Sequence, residues 1–259
     1  MEGLVYPPSK VLTKEEAEQK PLEPADVPDP CGFIKSHLSL SYRNEPGKMM
    51  GLHGTTTLSF IYDGGIIVAV DSRASGGQFI FSQTVMKIIQ IAPTMLGTMA
   101  GGAADCQYWL KNLSRLYRLH KFRYQQPLTV SAASKLLVNA LYEYKGYNLS
   151  IGSMICGFDI TGPHIFYIDN DGSRIAGKKF SVGSGSTYAY GVLDTYWRPD
   201  LTKEEAIELG RRAIFHATYR DSGSGGRVTV VHITKDGCEF QDKVDVADLY
   251  NLYSPNTKI

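Results

Sequence analysis

The sequence predicts an α+β protein: two mainly antiparallel sheets packed face to face, with helices outside each. Two observations carry this. The elements run as strands, two helices, strands, two helices, strands, and do not alternate one by one as a doubly wound parallel sheet requires. Short runs such as GIIVAV (Gly65–Val70) are also apolar at every position, as strands covered on both faces should be.

The first 54 residues stand apart. They hold Pro7, Pro8, Pro21, Pro24, Pro28, Pro30 and Pro46, more than half of the chain's 12 prolines, and the charge run KEEAEQK. Burial in such a segment cannot offset its ordering entropy, so residues 1–54 are expected to be a leader and residues 55–259 the domain. From Thr55 the pattern changes. In TTTLSFIY, Leu58, Phe60 and Tyr62 share one strand face, and Thr57, Ser59 and Ile61 the other. Asp63–Gly65 is a hairpin signal, and GIIVAV reads as a central strand. VMKIIQI and TMLGTMA form a strand pair around Pro93.

The next two segments have helical spacing. Cys106, Trp109, Leu110, Leu113, Leu116 and Tyr117 mark one helix face; Leu136, Leu137, Ala140, Leu141 and Tyr144 mark the next. SMICGFD, HIFYID and KKFSV are strands, the first two split by Thr-Gly-Pro. A helix is expected near Tyr188–Tyr196. Thr202 with Glu205 fits a capping box for another that reaches about Arg220. RVTVVHIT and CEFQDKV close the domain as a hairpin, and SPNTKI reads as a loose tail.

The 259 residues carry 43% hydrophobic and 20% charged side chains with a net charge of +1. That balance gives no basic surface for nucleic acid, and no apolar run is long enough to cross a membrane. Cys31, Cys106, Cys156 and Cys238 are widely spaced, so neither a disulfide framework nor a zinc site is expected, and no cofactor or metal is implied. Reduced thiols suit the cytoplasm and nucleus.

Two charges sit where strands should be buried. Asp71 shares a face with Ile67 and Ala69, and Lys87 shares one with Val85, Ile89 and Ile91. A lone buried charge is costly, so an Asp71–Lys87 pair is expected. Plain structural explanations also exist: Asp71 as an exposed strand end, Lys87 as an edge position. Asp71 and Lys87 follow Thr55 by sixteen and thirty-two residues. With that spacing, the stretches TTTLSF, GGIIVAVDSRAS, SQTVMK, GTMAGGAADCQ, YKGYNLSIGSMICG, VGSGSTYAYGVLD and YRDSGSGG resemble the N-terminal threonine hydrolases of the proteasome, in particular their chymotrypsin-like catalytic subunits. The resemblance runs from about His53 to about Asp248.

It implies the four-layer αββα sandwich of the N-terminal nucleophile hydrolases. It also implies a threonine endopeptidase that cuts after large hydrophobic residues. A threonine hydroxyl needs an adjacent base, and a free α-amine, with a pKa of about 7.7–8.0, can be that base. The resemblance therefore places cleavage at Gly54–Thr55, a nucleophile and base at Thr55, a cation at Lys87 and its partner at Asp71. It adds Ser184, Asp221 and Ser224 as groups that position the amine, and Gly101 as an oxyanion donor. On the sequence alone the glycine- and serine-rich stretches around Ser184, Asp221 and Ser224 read rather as flexible turns, and Gly101 also reads as a strand-end turn. Ala74, Ser75, Val85, Ile89, Met99 and Ala103 match substrate-binding positions, and a methionine favours large apolar side chains.

Four features depart from the family pattern. Ser75 stands where threonine is common, and Met86 where a basic residue is frequent. GQFIF (Gly77–Phe81) is bulky, and residues 157–163 run about one residue long. Implied partners are the other β and α subunits of a twenty-eight-subunit particle of stacked rings, with unfolded polypeptides as substrates. A non-catalytic β-ring subunit is the rival reading, and possession of Thr55, Asp71 and Lys87 together argues against it. No phosphate-loop or G-x-S-x-G pattern supports a binding module or a serine hydrolase.

Overall fold

The computed structural model describes residues 54–76 and 79–253, so residues 1–53 of the expected leader and the expected loose tail, 254–259, lie outside the described residues. Strands β1 (Thr57–Tyr62) and β2 (Gly65–Val70) form a hairpin across Asp63–Gly64, with Tyr62 opposite Gly65. Gly65 has φ +144°, and a Cβ there would lie 2.5 Å from the Ile233 carbonyl oxygen, so the turn needs glycine. A small hairpin follows, β3 (Ala74–Gly76) and β4 (Phe79–Ser82). Then come β5 (Ile88–Ala92), β6 (Met95–Thr98) and β7 (Ala100–Gly101).

Helices α1 (Ala103–Tyr124) and α2 (Val130–Glu143) precede the long hairpin β8 (Ile151–Asp159) and β9 (Gly162–Asp169). Strands β10 (Arg174–Ala176) and β11 (Lys179–Val182) lead to α3 (Ser186–Tyr196) and α4 (Lys203–Arg220). The expected capping box at the start of α4 is present. The Thr202 hydroxyl takes the Glu205 N–H at 3.2 Å, and the Glu205 carboxylate takes the Thr202 N–H at 2.9 Å. Strands β12 (Arg227–Thr234), β13 (Gly237–Phe240) and β14 (Val244–Asp245) and helix α5 (Val246–Tyr253) complete the described domain.

All strand pairs among the described residues are antiparallel. One sheet runs β11-β1-β2-β12-β13, with β14 beside β12; the other runs β10-β9-β8-β6-β5, with β7 beside β8. Three apolar clusters separate four layers. Between the sheets lie Ile66, Val68, Val70, Leu96, Met154, Ile165 and Val231. Leu58, Phe60, Ile67 and Ala69 face α3 and α4 through Leu193, Ala213 and Ile214. Ile91, Met95, Ile151 and Ile168 face α1 and α2 through Leu110, Leu113 and Leu137. This is the αββα sandwich that the sequence predicts. Strand β2 is buried at all six positions because its two faces line two of these clusters. Each such large aliphatic side chain stabilises the fold by about 1.5–3 kcal/mol.

Some local expectations need correction. The buried stripe of α2 is Val130, Ala133, Ser134, Leu137, Val138 and Leu141, whereas Leu136 and Tyr144 are exposed. The stripe continues the row set by Val130, one residue out of step with the row drawn through Leu136. Tyr144 instead meets the Trp109 ring edge to face, with centroids 5.1 Å apart. The β3–β4 hairpin, β10, β14 and α5 are additional, and all are too short for their periodicity to register. With the β3–β4 hairpin inserted, the strand that follows Lys87 is β5.

Candidate active site

Thr55, Asp71 and Lys87 each sit at a strand boundary. Thr55 lies two residues before β1, Asp71 directly follows β2, and Lys87 directly precedes β5. Pairing of β1 with β2 brings the first two together, and the Asp71 N–H donates to the Thr56 carbonyl at 3.1 Å. Thr55, Asp71 and Lys87 are all buried.

The expected ion pair is formed. Lys87 Nζ donates to Asp71 Oδ1 at 2.6 Å. The Asp71 carboxylate also accepts three backbone N–H groups. Thr56 donates to Oδ1 at 2.9 Å; Arg73 and Gly225 donate to Oδ2 at 3.2 and 3.0 Å. This saturation is what permits a fully buried carboxylate. Burial pushes the Lys87 ammonium below the usual lysine range. The charges of Asp71 and Asp221 oppose that shift, and Arg73 adds to it.

A second network holds the Thr55 backbone. Its N–H donates to Ser184 Oγ at 3.1 Å. The Ser184 and Ser224 hydroxyls both donate to Asp221 Oδ2 at 2.6 Å, and Ser224 Oγ lies 2.7 Å from the Thr56 hydroxyl. The Thr55 hydroxyl donates to the Gly54 carbonyl oxygen at 2.6 Å, within a buried contact. A single cleft is lined by Gly54, Thr55, Lys87 and Gly101 together with Ala74, Ser75, Val85, Met99 and Ala103. The arrangement sets a hydroxyl, a buried cation and a bound peptide carbonyl in one cleft.

A family model described as "Proteasome subunit" matches residues 52–233. The chain belongs to the proteasome subunit family. Among its relatives, proteasome subunit beta type-5 of Dictyostelium discoideum is 51% identical over 225 residues, covering 87% of this chain and 82% of that one. The Spinacia oleracea protein of the same name is 53% identical over 230 residues, 89% and 83% of the two chains. That of Gallus gallus is 55% identical over 208 residues, 80% and 81% of the two.

Of the residues that the proteasome resemblance singles out, Ile89 alone lies off the cleft and its two networks. It is half-buried and packs against the cluster beneath α1. Gly101 has φ +101°, and a Cβ there would sit 2.5 Å from the Ser150 carbonyl oxygen, so a side chain is excluded at the cleft wall. Sequence reasoning missed several supports. Thr56 hides in the TTT run. Gly183 has φ +112°, and its α-carbon leaves only 2.1 Å between a Cβ and the Thr55 carbonyl oxygen. Arg73 Nη1 donates to the Ser222 carbonyl at 2.9 Å and so ties the loop carrying Asp221 and Ser224 to the end of β2. The glycines of VGSGS and DSGSGG were the available signal for this close backbone approach. The bulky GQFIF segment falls in the β3–β4 hairpin, where Phe79, Ile80 and Phe81 are exposed; Gly77 and Gln78 lie outside the described residues.

Proposed function

We propose that the chain is a threonine endopeptidase subunit of the proteasome core, cutting polypeptides after large hydrophobic residues once its own Gly54–Thr55 bond is broken. The observation that carries this is the buried Lys87–Asp71 pair in the same cleft as Thr55, whose N–H rests on the Ser184–Asp221–Ser224 network.

With residue 54 attached, the Thr55 nitrogen is an amide and cannot serve as a base. Activation begins when Thr55 Oγ adds to the Gly54 carbonyl carbon. The C–N bond breaks, the nitrogen takes the hydroxyl proton, and an ester links Gly54 to Thr55 Oγ. Water hydrolyses that ester, releasing the leader as a carboxylate and restoring the hydroxyl beside a free amine. Substrates then follow the same course, with the amine as the base. The Lys87 charge favours the neutral amine and the alkoxide, and Asp71 holds Lys87 in place. The Gly101 N–H serves the developing oxyanion.

Ala74, Val85, Met99 and Ala103 give the cleft an apolar wall, which suits a large hydrophobic side chain before the cut. The wider surface suits partner subunits: Leu119, Phe122, Tyr147 and Leu252 are exposed large apolar side chains. We assign those partners to the β and α subunits of a stacked twenty-eight-subunit particle in the cytoplasm and nucleus. Among the described residues Cys106, Cys156 and Cys238 are free thiols, as a reducing compartment allows. Burial pushes the first two up to about 12 and Cys238 up to about 11.

N-terminal sequencing of the chain from assembled, active particles tests this. The expected first residue is Thr55, together with a preference for peptides bearing an apolar residue before the cut over acidic or basic ones. Active particles in which every copy keeps residues 1–54 would contradict it.

A further inference from the structure

We infer that the Ser75 hydroxyl is the positioning group for the chain's own cleavage at Gly54–Thr55, holding the leader's last residue while Thr55 attacks it. The role builds on the cleavage proposed above. Ser75 sits in β3, is buried, and lines the cleft. Its Oγ accepts the Gly54 N–H at 3.0 Å, and its own proton points to the Gly223 carbonyl at 3.4 Å. The carbonyl orients the hydroxyl so that a lone pair faces Gly54.

Gly54 needs such a hold. Glycine has the widest backbone freedom of any residue, and attack requires one orientation of its carbonyl. The space around it also forbids a side chain that could restrict it: a Cβ on Gly54 would lie 2.1 Å from the Gly223 α-carbon. The residue is therefore fixed at three points. Ser75 holds the N–H, Gly223 abuts the α-carbon, and the Thr55 hydroxyl meets the carbonyl oxygen at 2.6 Å. The Ser75–Gly54 contact exists only while the leader is attached, so its contribution falls on the activation step.

The test follows conversion of the full chain, pulse-labelled in cells where it assembles, to the form beginning at Thr55. Only assembled particles are scored. Ser75→Ala is expected to slow first-order conversion by about threefold to tenfold, the span that one uncharged hydrogen bond supports. Ser75→Thr keeps the hydroxyl and should convert close to the wild-type rate. Ser75→Val has the shape of that threonine without its hydroxyl and should be slow like Ser75→Ala. Equal rates for Ser75→Thr and Ser75→Val, or a wild-type rate for Ser75→Ala, would overturn the role. A wild-type chain that stays uncut in active particles would instead defeat the proposed endopeptidase mechanism itself.

Discussion

Thr55→Ala is expected to abolish hydrolysis of peptides with a large apolar residue before the cut and to leave residues 1–54 attached. The substitution removes one hydroxyl, whose present partner is the Gly54 carbonyl oxygen at 2.6 Å. It leaves the Lys87–Asp71 pair and the Ser184–Asp221–Ser224 network in place, because none of their contacts uses that hydroxyl. The fold should survive, since a single uncharged hydrogen bond is worth about 0.5–1.5 kcal/mol. Activity should fall on the order of a millionfold, as when the nucleophile of a triad hydrolase is removed. Thr55→Ser keeps both hydroxyl and amine and should retain turnover. The check is peptide hydrolysis by purified particles, with leader retention read in the same sample; unchanged turnover in Thr55→Ala would remove Thr55 from the chemistry.

Lys87→Ala is the second large effect, and it acts on both stability and rate. Asp71 is fully buried, and losing Lys87 strands its charge on the N–H groups of Thr56, Arg73 and Gly225. Breaking a buried pair from one side costs about 3–5 kcal/mol. The rate should drop by about two to three orders of magnitude, comparable to losing one preorganised electrostatic group. The pH dependence has a definite sign. Burial lowers the Lys87 pKa below the usual lysine value. Assistance requires the ammonium, so it is present below that lowered pKa and is lost as pH rises through it. The wild-type pH–rate profile should therefore fall on its alkaline side before ordinary lysines titrate. The same profile recorded on residual Lys87→Ala activity should lack that limb.

The layer architecture was legible because the strands obey period two and the helices period 3.6. Leu58, Phe60 and Tyr62 do share one face, and Ile61 packs on the other side. The ion pair was legible for a simpler reason: Asp71 and Lys87 are charges in rows of apolar neighbours. What escaped was structure with no hydrophobic period. The β3–β4 hairpin spans three and four residues and leaves Phe79 and Phe81 exposed, so no pattern announced it. The grip of Gly183 on Thr55 and of Gly223 on Gly54 depends on backbone approach between segments more than a hundred residues apart. Only the absence of side chains there hinted at it. Leu136 was misplaced because adjacent leucines satisfy two overlapping helical rows, and contact with the sheet decides between them.

During turnover the hydroxyl of Thr55 is expected to carry the acyl group. Rapid acid quenching of active particles with an apolar peptide substrate, followed by pepsin digestion at low pH and mass spectrometry, tests it on the fragment that begins at Thr55. The expected product is that fragment with a free N-terminus and an acyl ester on Thr55 Oγ. An acyl group carried by any other side chain of the chain, or turnover by particles in which Thr55 remains joined to Gly54, would contradict it.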